Sequence, residues 1–359
     1  MQRLTFSGLF GIIVMRNPAG AFRILRRDSM NKLNELSTII QGYRKGELPV
    51  TLDEKHIKTW LNQFDMNIQD DILAETLYIL RNWYFNSQAL IQFGKEVLEF
   101  LKNKYCLDDL HFFNNQMHGK SQAEIINLLK RNGVVNECWL NNIQSNHYIY
   151  LDDGLYTGKT IRQDVESILN IHHLCSIDIF VFLAYSDGYN YTQEQLSEFG
   201  KKHNTQINVY RLKELQNTKK VETLSNGGEM YFNDQDTLWP QQNAFLSNPQ
   251  IINEYIDLFD KKTYLFRSIT KSYTSRIFSS DKARKILEAA FLEKGVEIVK
   301  SCNSNTKGLF PLGYNNFGSI CAFEYNISNT CPLALWWGNL IKQGNALDIW
   351  YPLLPRRIE

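Results

Sequence analysis

Apolar residues recur at helical spacing through the first third of the chain. Ile57, Trp60, Leu61 and Phe64 share one face, and Thr51 with Glu54 has the capping-box spacing that starts such a helix. Leu73, Leu77, Leu80 and Tyr84 repeat the stripe, and Leu90, Phe93, Val97 and Leu101 repeat it again. Residues 51–104 therefore read as a set of amphipathic helices. The texture then changes. Residues 110–113 are a short apolar run, and Ser121 with Glu124 forms a second capping box before Ile125, Ile126, Leu128 and Leu129, with Gly133 as the stop. Residues 148–151 read as a compact strand, and Ile161, Val165, Ile168 and Leu169 mark a helix. Residues 177–184 form a near-continuous apolar strand of the kind buried on both faces. A helix over 192–202 and a strand over 207–210 follow.

Strands alternating with helices of this length imply βαβ units, hence an α/β chain whose parallel sheet is flanked by helices. Such sheets bind ligands at the carboxyl ends of their strands. After Thr218 the pattern loosens. One helix is clear, from Asp281 to about Lys294, and the rest is aromatic and turn-rich, as in PLGYNNFGSICAFEYNISNTCPLALWWGNL. Four divisions follow: a poorly packed extension over 1–40, a helical segment over 41–105, an α/β core over 106–216 and an α+β cap or hood over 217–359.

Composition removes some classes of function. With 39 basic and 38 acidic residues the net charge is +1, which supplies no field for gripping nucleic acid non-specifically. Lys261-Lys262 and Arg356-Arg357 read as solvated surface. Cys106, Cys138, Cys175, Cys302, Cys321 and Cys331 include no C-x-x-C pair and read as reduced, mostly buried thiols of a cytoplasmic protein. Neither Cys321 and Cys331 nor the His172-His173-Cys175 cluster has the spacing of a tetrahedral zinc site. The opening MQRLTFSGLFGIIVM imitates a secretory signal, but its apolar run is interrupted by Ser7 and Gly8. No stretch reaches the ~18 apolar residues that span a bilayer, so no membrane segment is expected.

The chemistry concentrates in HYIYLDDGLYTGKT, residues 147–160, where a strand runs through two acids into a turn. Gly158-Lys159-Thr160 matches the end of the phosphate loop of nucleoside triphosphatases, but that loop's first glycine would fall on Asp153. A carboxylate there faces phosphate oxygens, and like charges ~4 Å apart cost on the order of 4 kcal/mol gross at an effective dielectric near 20. A ribose 5-phosphate explains both halves of the stretch. Asp152 and Asp153 can accept hydrogen bonds from the ribose diol, which also helps coordinate magnesium. The turn and the following helix N-terminus, with Thr157 and Thr160, suit the phosphate, and Gly158 permits close backbone approach.

The twelve residues 149–160 resemble the ribose-phosphate motif of the phosphoribosyltransferases: aliphatic strand residues, two acids, three variable residues, then Thr-Gly-x-Thr. The match runs through Asp152, Asp153, Gly154, Leu155, Tyr156, Thr157, Gly158, Lys159 and Thr160. Two positions depart from the family pattern. Gly154 stands where an aliphatic residue is usual, and Tyr156 where purine-using members carry a small or acidic residue. The resemblance also implies a pyrophosphate loop, for which Gly119, Lys120 and Ser121 at a helix start are the candidates, and a lid, for which residues 136–146 are placed. GYRKGELPVTLDEKHIKTWLNQF and the tail with Trp336-Trp337 and WYPLLPRR are similar to a bacterial subfamily of phosphoribosyltransferase-like effectors of anti-phage conflict systems, including retron-associated ones. This likeness covers roughly residues 40–359.

The resemblance implies a magnesium-dependent enzyme that takes phosphoribosyl pyrophosphate or a nucleotide, with Asp152 and Asp153 at the ribose and Lys120 at the leaving group. Water as acceptor would make it a nucleotide hydrolase. The alternative is a module that senses a nucleotide without turnover and regulates a partner, such as a reverse transcriptase with its RNA–DNA hybrid. Phe317, Phe323 and Tyr325 in the hood are placed either to stack on a base or to pack as core.

Overall fold

A computed structural model of the chain describes residues 18–114, 121–219, 221–223, 229–231, 235–245, 248–259, 265–267, 274–302 and 308–357. The N-terminal half opens with α1 (Pro18–Ile40), α2 (Glu54–Leu61), α3 (Gln69–Trp83), the short strand β1 (Tyr84–Phe85) and α4 (Ser87–Lys102). The cap of α2 is Asp53 and not Thr51: its carboxylate accepts the His56 N–H at 2.9 Å. Both residue types cap well, and only the backbone path decides which of them stands one residue before the first turn. The expectation of a loose extension through residue 40 also needs correction. Leu33, Leu36 and Ile40, spaced for one helical face, are buried in the same core as Trp60 and Phe85. Residues 1–17 lie outside the described residues.

The centre of the molecule is β2 (Leu110–Phe112), α5 (Ser121–Arg131), α6 (Glu137–Asn141), β3 (His147–Leu155), α7 (Lys159–Ile171), β4 (Ser176–Tyr185), α8 (Ser186–His203) and β5 (Gln206–Leu215). Its four strands lie all parallel in the order β2-β3-β4-β5. Strand β4 is buried along its whole length because it alternates between two cores. Ile177, Ile179 and Val181 pack with Ile161 and Val165 of α7 on one face, while Phe180 and Phe182 face the larger core on the other. Helix α8 starts directly after β4, well before Thr192, since Ser186 and Gly188 are buried and continue the element without a loop. The segment expected as a lid, 136–146, contains the short helix α6 and rests on the sheet edge. Trp139 stacks on Phe112, and Asn142 donates to the Asp108 and Leu110 carbonyls.

The C-terminal part contributes the antiparallel pair β6 (Val221–Thr223) and β7 (Glu229–Tyr231), then α9 (Pro249–Asp257) and α10 (Asp281–Ser301). Two tight hairpins follow, β8 (Leu309–Phe310) with β9 (Gly313–Tyr314) and β10 (Ala322–Phe323) with β11 (Asn326–Ile327), before α11 (Leu333–Trp336). Strand β10 also pairs parallel with β1, so the tail is stitched to the N-terminal helices. The Trp60 indole donates to the Ala334 carbonyl at 2.8 Å, the Tyr43 phenol to Pro355, and the His56 ring bonds Tyr351 and the Leu353 carbonyl. Packing does not break at residues 105 or 216; one apolar cluster runs from Leu33 through Phe182 to Leu354.

The six cysteines are all free. Cys106, Cys138 and Cys175 are exposed, against the expectation that most would be buried, because they sit in short connections and in α6. Among the described residues, no helix is long and apolar enough to cross a membrane.

Candidate functional site

Strand β3 builds the floor of the site. Tyr148 and Tyr150 anchor one of its faces and Ile149 and Leu151 the other, and the Tyr150 phenol donates to Asp164 of α7 at 2.7 Å. This double anchoring fixes where the carboxyl end of the strand emerges. There Asp152 is buried, 4% exposed, and its Oδ1 accepts the Ser121 hydroxyl at 2.6 Å and the Asp153 N–H at 2.9 Å. Oδ2 of Asp153 accepts the phenol of Tyr325. Desolvation, and then the charge of Asp153, holds Asp152 well above the usual carboxylate range. Desolvation raises Asp153 as well, with the Tyr325 hydrogen bond acting against it. Adjacent carboxyls ionise as a pair, and desolvation biases this pair toward keeping a proton.

The turn after β3 leads directly into the N-terminus of α7. Gly158 has φ +66° and is the residue before the first turn of α7, a helix whose first turn carries no acid. The first N–H groups of such a helix lack intrahelical acceptors and carry its positive dipole end. Arg162 clamps the turn from below, its guanidinium donating to the Thr157 carbonyl and to the Thr192 hydroxyl, both at 2.9 Å. The Lys159 side chain is exposed.

A cavity of about 520 Å³ spans these elements. Its floor is Asp152, Asp153 and Gly154, and one end is Tyr156, Thr157, Gly158, Lys159 and Thr160. Ser121 and Glu124 of α5 line another side. The roof comes from the tail: Tyr314, Phe323, Tyr325, residues 326–330, Arg356 and Arg357. Arg356-Arg357 is therefore not solvated surface. Arg357 bridges Glu124 at 2.7 Å and Glu47 at 2.6 Å, and its backbone N–H donates to Asn326.

A family model described as PRTase-CE matches residues 57–356. The chain belongs to this phosphoribosyltransferase-like family. No curated protein matches it. The all-parallel sheet with flanking helices is consistent with a phosphoribosyltransferase-like α/β fold.

Within the PRTase-CE chain, six of the seven turn residues expected at the ribose phosphate line the cavity; Leu155, 1% exposed, packs in the core beneath instead. Gly119 and Lys120 lie outside the described residues. Ser121 is in place, with its hydroxyl on Asp152. The two departures from the family pattern meet in space. A Cβ on Gly154 would stand 2.7 Å from the Tyr156 ring, so the ring of Tyr156 fills the space that a side chain at 154 would take. Tyr156 stacks on Tyr185 at 5.5 Å and meets the edge of Phe317 at 5.8 Å. Desolvation, then Asp153, pushes its phenol up, so it stays neutral and supplies no base.

Of the hood aromatics, Phe323 and Tyr325 line the cavity, whereas Phe317 packs behind Tyr156 and Tyr185. Periodicity could not find Arg357 or the Tyr325 contact, because Tyr325 and Asp153 are 172 residues apart. Among the described residues, neither Asp152 nor Asp153 forms an ion pair with a lysine or arginine. Two adjacent acids, one buried and one half-buried, with no cation paired to them among the described residues, suit a magnesium ion held through a ribose diol, so the residues present fit that ion.

Proposed function

We propose that the protein binds a ribose 5-phosphate unit, as phosphoribosyl pyrophosphate or a nucleotide, and acts on it at C1 of the ribose with magnesium. The observation that carries this reading is the pair Asp152 and Asp153 on the floor of a cavity whose end is the Gly158 turn and the start of α7. Acids face the sugar hydroxyls and backbone N–H groups face the 5-phosphate. In the reaction the C1–O bond to pyrophosphate breaks and a bond from C1 to the acceptor forms. The negative field of the two carboxyls favours the positive charge that develops at C1. Magnesium, when bound, neutralises charge on the departing pyrophosphate. With a nucleotide bound and water as acceptor, the C1–N bond to the base breaks instead, the base leaves with a proton from the water, and the same site depletes nucleotides, an activity suited to a defence effector.

A second reading, nucleotide sensing without turnover, is favoured by Tyr156. A neutral phenol stands where purine-using relatives of the wider superfamily keep a small or acidic residue, so no base is supplied at that position. In that case the partner is a protein such as a reverse transcriptase with its RNA–DNA hybrid, and the net charge of +1 requires a specific contact. Unpaired cysteines support work in the reducing cytoplasm.

Calorimetry with magnesium tests the binding, and mass spectrometry of nucleotide pools tests turnover. Phosphoribosyl pyrophosphate or a nucleoside monophosphate is expected to bind, with no ATP hydrolysis. Steady ATPase activity abolished by Lys159→Ala would overturn the ribose reading in favour of a triphosphate loop. Ligand binding without any change in the nucleotide pool, together with co-purification of a reverse transcriptase, would select the sensor.

A further inference from the structure

The Tyr325 phenol occupies a hydrogen-bonding position on Asp153 at the floor of the cavity. In a ribose-binding site that position belongs to a sugar hydroxyl. A phenol and an alcohol present the same group to a carboxylate, a single O–H donor. Tyr325 comes from the turn between β10 and β11, far along the chain, and its neighbours are fixed. The Glu324 carboxylate accepts the Ser87 N–H at 2.6 Å and also the Ser87 hydroxyl, and its backbone carbonyl accepts the Arg44 N–H at 2.8 Å. On the other side, the Asn326 side chain accepts the Arg357 N–H at 3.1 Å. Both flanks of Tyr325 are thus held by residues outside the hairpin.

Resting on the ribose reading of the site, we propose that Tyr325 is a built-in competitor: its hydroxyl stands in for a ribose hydroxyl on Asp153 and must be displaced before ribose binds. The arrangement explains how a chain tolerates two adjacent acids, Asp152 buried and Asp153 half-buried, with no ion-pair partner among the described residues. While the site is empty Ser121 satisfies Asp152 and Tyr325 satisfies Asp153. It also makes Tyr325 a specificity-determining residue. A ligand that brings no hydroxyl to Asp153, such as inorganic phosphate at the Gly158 turn, leaves the phenol in place. A ribose with its diol returns the lost hydrogen bond and adds another.

The test is calorimetric titration of the wild type, Tyr325→Phe and Tyr325→Phe with Asp153→Asn, using ribose 5-phosphate with magnesium and, separately, inorganic phosphate. Phenylalanine keeps the ring stacked on Phe323, 6.0 Å away, so the fold is expected to survive, and a thermal melt verifies it. Tyr325→Phe should bind ribose 5-phosphate about ten- to a hundredfold more tightly, the range set by one hydrogen bond to a charged group. Its affinity for inorganic phosphate should not change. The double variant should lose the gain. If Tyr325→Phe binds ribose 5-phosphate as well as the wild type or worse, Tyr325 is not a competitor and the proposal is overturned while the ribose reading stands. Equal tightening toward phosphate would also overturn it, by showing a general loosening of the hood. If no variant binds ribose 5-phosphate, the reading of the site itself falls.

Discussion

The two walls of the cavity are made in different ways. The floor and the phosphate end come from consecutive residues, 152–160, on one strand, one turn and the start of one helix. The roof is gathered from the β8–β9 and β10–β11 hairpins and from Arg356 and Arg357 near the end of the chain. The floor depends on local backbone geometry and tolerates little change. The roof depends on side-chain contacts between distant segments, each of modest energy, and can be altered piecemeal.

The largest effect is expected at Gly158. A Cβ there would meet the Thr192 hydroxyl at 1.7 Å and the Arg162 guanidinium at 3.0 Å, and φ is +66°. The side chain would thus collide with α8 beneath the turn as well as strain the backbone. Gly158→Val should cost roughly 2–5 kcal/mol, the sum of a positive-φ penalty and overpacking, and should abolish ligand binding. Denaturant melts read the first and calorimetry the second. A fully stable variant would mean that the turn is not locked between α7 and α8.

Replacing both acids should separate function from stability. Asp152 and Asp153 are raised in the folded chain, so the fold holds their protons more tightly than the unfolded chain does. Stability is therefore complete below the ordinary carboxylate value, about 4, and is lost as pH rises through the raised values. Asp152→Asn with Asp153→Asn should remove ribose binding yet melt higher than the wild type at pH 8, with the gap closing near pH 4. A melting temperature lowered equally at both pH values would mean that the contacts of the acids with Ser121 and Tyr325 outweigh the charge penalty.

A smaller effect is expected from the Gly154 and Tyr156 exchange. Gly154→Ala should destabilise by about 1–3 kcal/mol because its Cβ meets the Tyr156 ring at 2.7 Å. In a Tyr156→Ala background the same change should be close to neutral, and a double-mutant cycle measures the coupling. Additive effects would mean that the two departures from the family pattern are not coupled.

The roof salt bridge should matter least to stability. Arg357 and its partners Glu47 and Glu124 are all partly solvated, so Arg357→Ala should cost about 0–1 kcal/mol, and less in high salt. Its effect on ligand affinity should exceed its effect on the melt. The reverse order would make Arg357 a purely structural tie.

Much of this molecule was legible in its residues one segment at a time. Periodicity placed the helices of 51–104, the strands of the sheet and α7, because the apolar face of each element is written at its own spacing. The Gly158 turn was legible for the same reason: a left-handed residue before a helix is a local requirement that glycine meets best. Cap choice was less secure, as Asp53 in place of Thr51 shows, since neighbouring residues offered equivalent chemistry. Only the tertiary structure decided that Tyr325 reaches Asp153, that Arg357 ties Glu124 to Glu47, and that Tyr156 fills the space left by Gly154. Nor could spacing show that 136–146 docks on the sheet edge instead of hanging free, because that outcome rests on Trp139 finding Phe112. Local rules act over a turn of helix or a few residues of strand. Contacts between segments more than a hundred residues apart depend on how whole faces bury against one another, and no short stretch of sequence contains that information.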